Sequence, residues 1–261
     1  TSFNAALVIG PALAGTIAGV VGAQWSLATE AVLALAALVL IVCLPGLDQP
    51  PRGGERSLLG VAAEGLKQVA VVPELRGITA AGAIGLGGLG LLTIAFPLFC
   101  VEHLGVERSA AGYLWAAFAV GSTIGALSLV RLQQRFSAER VVLTGYVAFG
   151  MLMLLWPLAG SLSVALVLVA LAALVDGPVL AGQFAVRQQR VPQRLHAQVF
   201  TTAAGLKVGA FSLGTALGGA VVVSIGSATA IAIAAAVQFV AAAAGLALSR
   251  WPRPAVAQSS S

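Results

Sequence analysis

The sequence predicts an all-α membrane protein with eight transmembrane helices, and three observations lead there. Hydrophobic residues make up 59% of the 261 residues and charged residues only 9%, where an ordinary soluble domain carries about 25% charge. Mean hydropathy is +1.00, and the apolar residues gather in runs of roughly 20, the helix length that crosses a hydrocarbon core of about 30 Å. Lysine and arginine collect in alternate gaps between those runs, the asymmetry that orients membrane helices. A chain this poor in charge cannot cover its own surface in water. Its formal net charge of +5 therefore reads as topology, and no nucleic-acid partner is expected.

The first run, residues 3–22, holds Gly10-Pro11 inside an apolar stretch. Proline in a helix interior costs about 3 kcal/mol in water, but in a bilayer neighbouring helices can satisfy the carbonyl it frees. No basic segment precedes this run, so it does not read as a secretory signal. The second run, 25–45, carries Glu30 near Trp25. A long gap follows, with a Pro/Gly-rich PGLDQPPRGGER stretch that breaks helices. Beyond it, Leu58, Leu59, Ala62, Leu66, Val69 and Val72 recur at helical spacing opposite Glu64, Lys67 and Gln68. That pattern predicts a short amphipathic helix lying at the membrane surface.

Six more runs follow at 77–101, 110–130, 140–159, 162–184, 198–223 and 227–249, none with strand-like alternation. The glycine-rich GLGGLG, Gly85–Gly90, lies inside a span with no strand before it, so it reads as flexible or tightly packed helix and not as a phosphate loop. After the second span lie Arg52, Arg56, Lys67 and Arg76; after the fourth, Arg131, Arg135 and Arg140; after the sixth, Arg187, Arg190 and Arg194; in the tail, Arg250 and Arg253. The opposite gaps hold only Arg108. Positive residues stay cytoplasmic, which places both termini of this chain on the cytoplasmic side. The chain divides into two helices (1–46), a cytoplasmic connector with its amphipathic helix (47–76), a six-helix bundle (77–250) and a cytoplasmic tail (251–261).

Ionisable groups inside spans are expensive and point to function. Three qualify: Asp176, Lys207 and Glu30. At about 1.5 Å per residue, Asp176 and Lys207 lie roughly 12 and 13 Å from the same face, on consecutive antiparallel helices. They either pair with one another or flank a substrate cavity in which Asp176 takes and releases a proton; Lys207 can also snorkel to the interface. Glu30 reads as a coupling candidate or as a solvated carboxylate beside an interfacial Trp. Gln183, Tyr113, Trp115 and Thr93 are candidates for substrate hydrogen bonds, with packing or interface anchoring as the alternative. His103 and His196 fall in loops. Cys43 and Cys100 lie in separate runs, which argues against a disulfide or a metal site. No metal-ligand spacing or nucleophile elbow occurs, so no cofactor, metal or catalytic residue is expected and the chain does not read as an enzyme. A membrane-embedded enzyme and a polytopic scaffold or sensor remain the readings of other classes.

Three stretches carry a resemblance to the major facilitator superfamily. GALSLVRLQQRFSAERVVL (125–143) resembles the family's loop motif between helices eight and nine, with Gly125, Arg131, Arg135, Phe136 and Arg140 on the pattern. Gln134 stands where the family usually has Asp, and Ser137 where it usually has Gly, which puts a charge-relay role of that loop in doubt. GPALAG, with Gly10, Pro11 and Gly15, resembles the helix-five motif of the family's exporters, with Ala for one Gly. Val186–Val222, including GTALGG with Gly214, Gly218 and Gly219, resembles the loop and eleventh helix of bacterial, particularly actinobacterial, members.

The resemblance implies that the eight spans are helices five to twelve of a twelve-helix transporter, its C-terminal two-thirds. Residues 1–46 would then be the last two helices of the N-terminal bundle, whose other helices become expected partners. It further implies transport by alternating access about a site near the bilayer midplane. The implied activity is proton-coupled efflux, by an antiporter of the cell membrane, of a small amphipathic or drug-like molecule. Uptake of a small metabolite is the alternative.

Overall fold

A computed structural model of the chain describes residues 23–43, 58–128, 131–132 and 135–250. The first predicted span, with Gly10, Pro11 and Gly15, and the tail after Arg250 lie outside the described residues. The described part is α-helical with three short 3-10 turns and no strand. Its helices are α1 (Ala23–Cys43), α2 (Leu58–Val71), α3 (Pro73–Glu102), α4 (Ala111–Leu127), α5 (Ala138–Met153), α6 (Leu162–Arg190), α7 (His196–Ile225) and α8 (Ser227–Arg250). Six segments, α3 to α8 with their flanking turns, are long and apolar enough to cross a membrane. This is a multi-pass, all-α membrane protein.

The helix boundaries follow local chemistry. α2 is the expected amphipathic helix; it lies against α7 and α3, with Gly65 so close to the Thr202 side chain and the Gln198 carbonyl that a Cβ there would collide. α3 starts a turn before the expected 77, because Pro73 occupies its first turn, where a missing N–H costs nothing. Ser137 and Ser161 cap α5 and α6, their hydroxyls accepting from the N–H of Arg140 at 3.3 Å and of Val164 at 3.4 Å. α7 passes to α8 through Gly226 alone, at φ +84°, a backbone angle open to glycine without a Cβ penalty.

One boundary corrects the sequence reading. Arg187 and Arg190, expected in the loop after residue 184, lie inside α6, which runs on to Arg190. Arg187 is buried, its guanidinium 6.0 Å from the centre of the Phe200 ring on α7. Arg190 bonds instead to Glu74 of α3 at 3.4 Å and Glu139 of α5 at 3.1 Å. This triad ties three helix ends together at the basic end of the bundle. These are the ion pairs among the described residues, and none involves Arg131, Arg135 or Arg140 of the family-like loop.

Packing centres on α3, which runs along α8 and α7, while α6 lies between α4 and α5. Helix association in lipid depends on close backbone approach, and glycine provides it at two crossings. On α4, a Cβ at Gly121 or Gly125 would strike the α6 backbone at Ala170 or Leu174, and one at Gly177 of α6 would strike Ser122 and Ala126. Pro178 explains the Gly125 contact: lacking an N–H, it frees the carbonyl four residues earlier, that of Leu174, and Gly125 packs directly on that oxygen. At the second crossing, Gly214 of α7 meets the backbone of Gly87, and Gly90 meets that of Phe211; Thr215 donates to the Gly90 carbonyl at 3.2 Å.

The apolar interior forms two clusters. One, around Phe96, Phe99, Leu114, Phe149, Met153 and Trp156, fills the end away from Arg190 and its two glutamates. The other, around Leu75, Ile78, Val142, Val186 and Val199, fills the basic end. On α1 the described apolar side chains face outward, Val32 and Leu40 among them.

Candidate functional site

A cavity of about 470 Å³ opens at mid-depth. Asp176, Gln238, Tyr146 and Lys207 each stand near the middle of their own helices, α6, α8, α5 and α7, and all four line it. The wall between them is apolar and aromatic: Leu86 and Leu89 of α3, Trp115 and Phe118 of α4, Leu180 of α6 and Phe211 of α7. Trp115 and Phe118 meet edge to face with centroids 5.9 Å apart, and Phe96 tilts against Trp115 at 5.1 Å.

The glycines of α3 make room for the polar groups. A Cβ at Gly82 would collide with the Gln183 amide, one at Gly85 with the Tyr146 ring, and one at Gly88 with the Gln238 amide. GLGGLG is thus neither a phosphate loop nor slack helix. With Gly82 one turn earlier, it forms a groove that seats two buried amides and a phenol beside a helix backbone.

Two polar groups of side chains result. In the first, Lys207 Nζ donates to Gln183 Oε1 at 3.2 Å, and Gln183 Nε2 donates to the Tyr146 hydroxyl at 3.0 Å. In the second, Ser122 Oγ donates to Asp176 Oδ2 at 3.4 Å, a long bond that constrains the carboxylate weakly. Asp176 and Lys207 form no ion pair within 4.0 Å; they face one cavity separately. Gln238 is fully buried, its Nε2 donating to the carbonyls of Gly85 at 3.1 Å and Ala234 at 3.2 Å. Its Oε1 has no partner, and neither does the Thr93 hydroxyl on the same cavity. A buried acceptor without a donor carries a desolvation cost of about 1–3 kcal/mol, which a ligand N–H or O–H would relieve.

The candidates chosen from sequence therefore separate. Asp176, Lys207 and Gln183 converge on the cavity, with Trp115 and Thr93, while Tyr113 is about two-fifths exposed and outside its lining. Glu30 belongs to α1, and its side chain lies outside the described part. Gly214 and Gly218 turn toward α3, whereas Gly219 has open space around it. Arg131, Arg135 and Arg140 lie exposed at the basic end. Sequence reasoning missed Tyr146 and Gln238. Both carried a signal: a lone amide within an alanine-rich span, and a tyrosine far from either interfacial belt.

An apolar, mid-membrane cavity with a few convergent polar groups is how a small-molecule transporter holds its cargo. The chain belongs to the transmembrane secretion effector family (MFS_3) of major facilitator transporters, whose family model matches residues 1–261. It is 28% identical over 224 residues to an uncharacterized MFS-type transporter, y4rN, of Sinorhizobium fredii, covering 82% of this chain and 53% of that protein. It is 26% identical over 223 residues to the multidrug efflux pump Tap of Mycolicibacterium fortuitum, covering 83% and 54%. With Tap of Mycobacterium tuberculosis it shares 29% over 227 residues, covering 83% and 52%. The chain spans about half the length of the curated relatives it matches, and those relatives are named transporters.

Proposed function

We propose that the protein exports small, amphipathic, drug-like molecules across the cell membrane by alternating access, driven by protons. The observation that carries this reading is the cavity: aromatic and apolar walls suit a lipophilic body, while the unpartnered Gln238 Oε1 and Thr93 hydroxyl offer hydrogen bonds to a polar end. Efflux is supported by the two relatives named multidrug efflux pumps and by the GPALAG stretch. Uptake would use the same cavity, but nothing in it favours a polar metabolite.

In this reading the chain supplies helices five to twelve. Residues 1–46 close the N-terminal bundle, 47–76 connect the halves, 77–250 form the C-terminal bundle and 251–261 the tail. Helices before Thr1 would supply the facing half of the cavity. Asp176 exchanges a proton, and Lys207, held by Gln183, sets the local charge that Asp176 meets. The basic end faces the cytoplasm.

Two measurements test this. Cells expressing the full-length protein should accumulate about tenfold less of a fluorescent amphiphile, the effect vanishing when a protonophore collapses the gradient; equal accumulation with and without the protein would defeat the export reading. In a variant with Cys43→Ser, Arg135→Cys should react with a membrane-impermeant maleimide in inside-out vesicles and not in intact cells; the opposite pattern would invert the orientation.

A further inference from the structure

Away from the central cavity, a second hollow of about 640 Å³ lies at the basic end, between α5 and α8 with the start of α3. Its mouth is charged and its floor apolar. Glu74 and Glu139 are both bonded to Arg190, so the two acids of the hollow already share one cation. Arg76, nearby, is tied to the Leu248 carbonyl at 2.8 Å through Nη2. Arg140, in the first turn of α5, and Arg250, the last residue of α8, also line the hollow. Neither of their side chains has a bonding partner among the described residues. The floor runs from this pair along Leu143 and Val147 on α5 and along Leu246 and Phe239 on α8. At about 1.5 Å per residue, that path extends roughly 10–16 Å along the helix axes into the bilayer.

The geometry points to a binding site for an anionic phospholipid of the surrounding bilayer, its phosphate between Arg140 and Arg250 and one acyl chain along the apolar floor. Charge complementarity selects the headgroup. Two open guanidiniums suit a phosphate that carries net charge, and guanidinium forks match phosphate geometry. A zwitterionic lipid would bring an ammonium as well, and the carboxylates that line the hollow among the described residues, Glu74 and Glu139, are occupied by Arg190. The position suits a lipid too, because arginines at helix ends sit at headgroup level, and basic pockets between membrane helices on one face recognise acidic headgroups. The bound lipid would bridge α5 to α8, two helices that also meet where Gly150 faces Phe239 and Gly245 faces Leu143.

The test uses the full-length protein in nanodiscs of equal phosphatidylglycerol and phosphatidylcholine, with retained lipid counted by native mass spectrometry. The wild type should retain phosphatidylglycerol preferentially. Arg140→Gln and Arg250→Gln should each lower that preference about fivefold, the worth of one basic residue at an anionic surface. The double Lys variant, which keeps both charges, should retain most of the preference and controls for misfolding. Arg135→Gln removes a charge from the same end outside the hollow and should change nothing. Equal retention of the two lipids by the wild type would overturn the proposal. So would an Arg135→Gln effect as large as the others, which would reduce the preference to the general charge of that face. Displacement of the lipid by equimolar oleate would assign the hollow to free amphiphiles and overturn it as well.

Discussion

Asp176→Asn should lower proton-driven transport by about 100-fold, the lower end of what a positioned proton-transferring group contributes, while leaving the folded yield in detergent within about twofold. The substitution keeps size and shape and can still accept from Ser122, whose bond to the carboxylate is long at 3.4 Å. It removes only the charge and the exchangeable proton. A purely structural carboxylate would behave differently: yield would fall, and whatever protein folded would transport normally. Downhill exchange of substrate, which needs no proton cycle, should survive in Asp176→Asn at about the wild-type rate. Loss of that exchange too would make Asp176 a substrate-binding group instead of the coupling group.

Gly125→Leu should cost about 3 kcal/mol, the upper range for overpacking a well-filled interior, and should abolish folded protein in mild detergent. A Cβ there meets the backbone of Leu174, and backbone cannot swing aside as a side chain tip can. Because Pro178 has already removed one hydrogen bond from that turn of α6, the freed Leu174 carbonyl also loses its packing against Gly125 if α4 is pushed away. Gly219→Leu is the matched control. Its Cβ meets nothing within 4 Å, so thermal unfolding should show that variant within about 0.5 kcal/mol of wild type, the range of an innocuous surface change. Equal destabilisation of the two would mean that the α4–α6 contact is not what limits stability. The glycine of the family-like loop motif thus acts first as a packing residue between α4 and α6.

Much of this fold was legible in composition alone. Six of the eight runs of about 20 apolar residues stand as helices long and apolar enough to cross a membrane, and the amphipathic pattern of 58–72 forms the helix Leu58–Val71. The end of α6 was misplaced for a physical reason. Arginine was read as a sign of the loop, yet Arg187 lies buried within the helix, its guanidinium over Phe200. The site was half legible. Asp176 and Lys207 stand out because charge within a span is rare, and their shared depth follows from counting residues along antiparallel helices. Depth does not give azimuth, however. Whether they pair or face a cavity apart depends on helix rotation, which glycine crossings such as Gly87 with Gly214 set across more than 100 residues of sequence. The same holds for Gln238 and Tyr146, which reach the cavity because Gly85 and Gly88 leave space on α3.

The most direct test of the account is uphill transport in proteoliposomes carrying the full-length protein. A pH step across the membrane, with no other gradient, should concentrate a fluorescent amphiphile against its own gradient. A protonophore should abolish that accumulation, and Asp176→Asn should not support it. Accumulation that proceeds without a pH gradient, or that Asp176→Asn sustains at the wild-type level, would contradict the claim that this cavity couples proton movement to export.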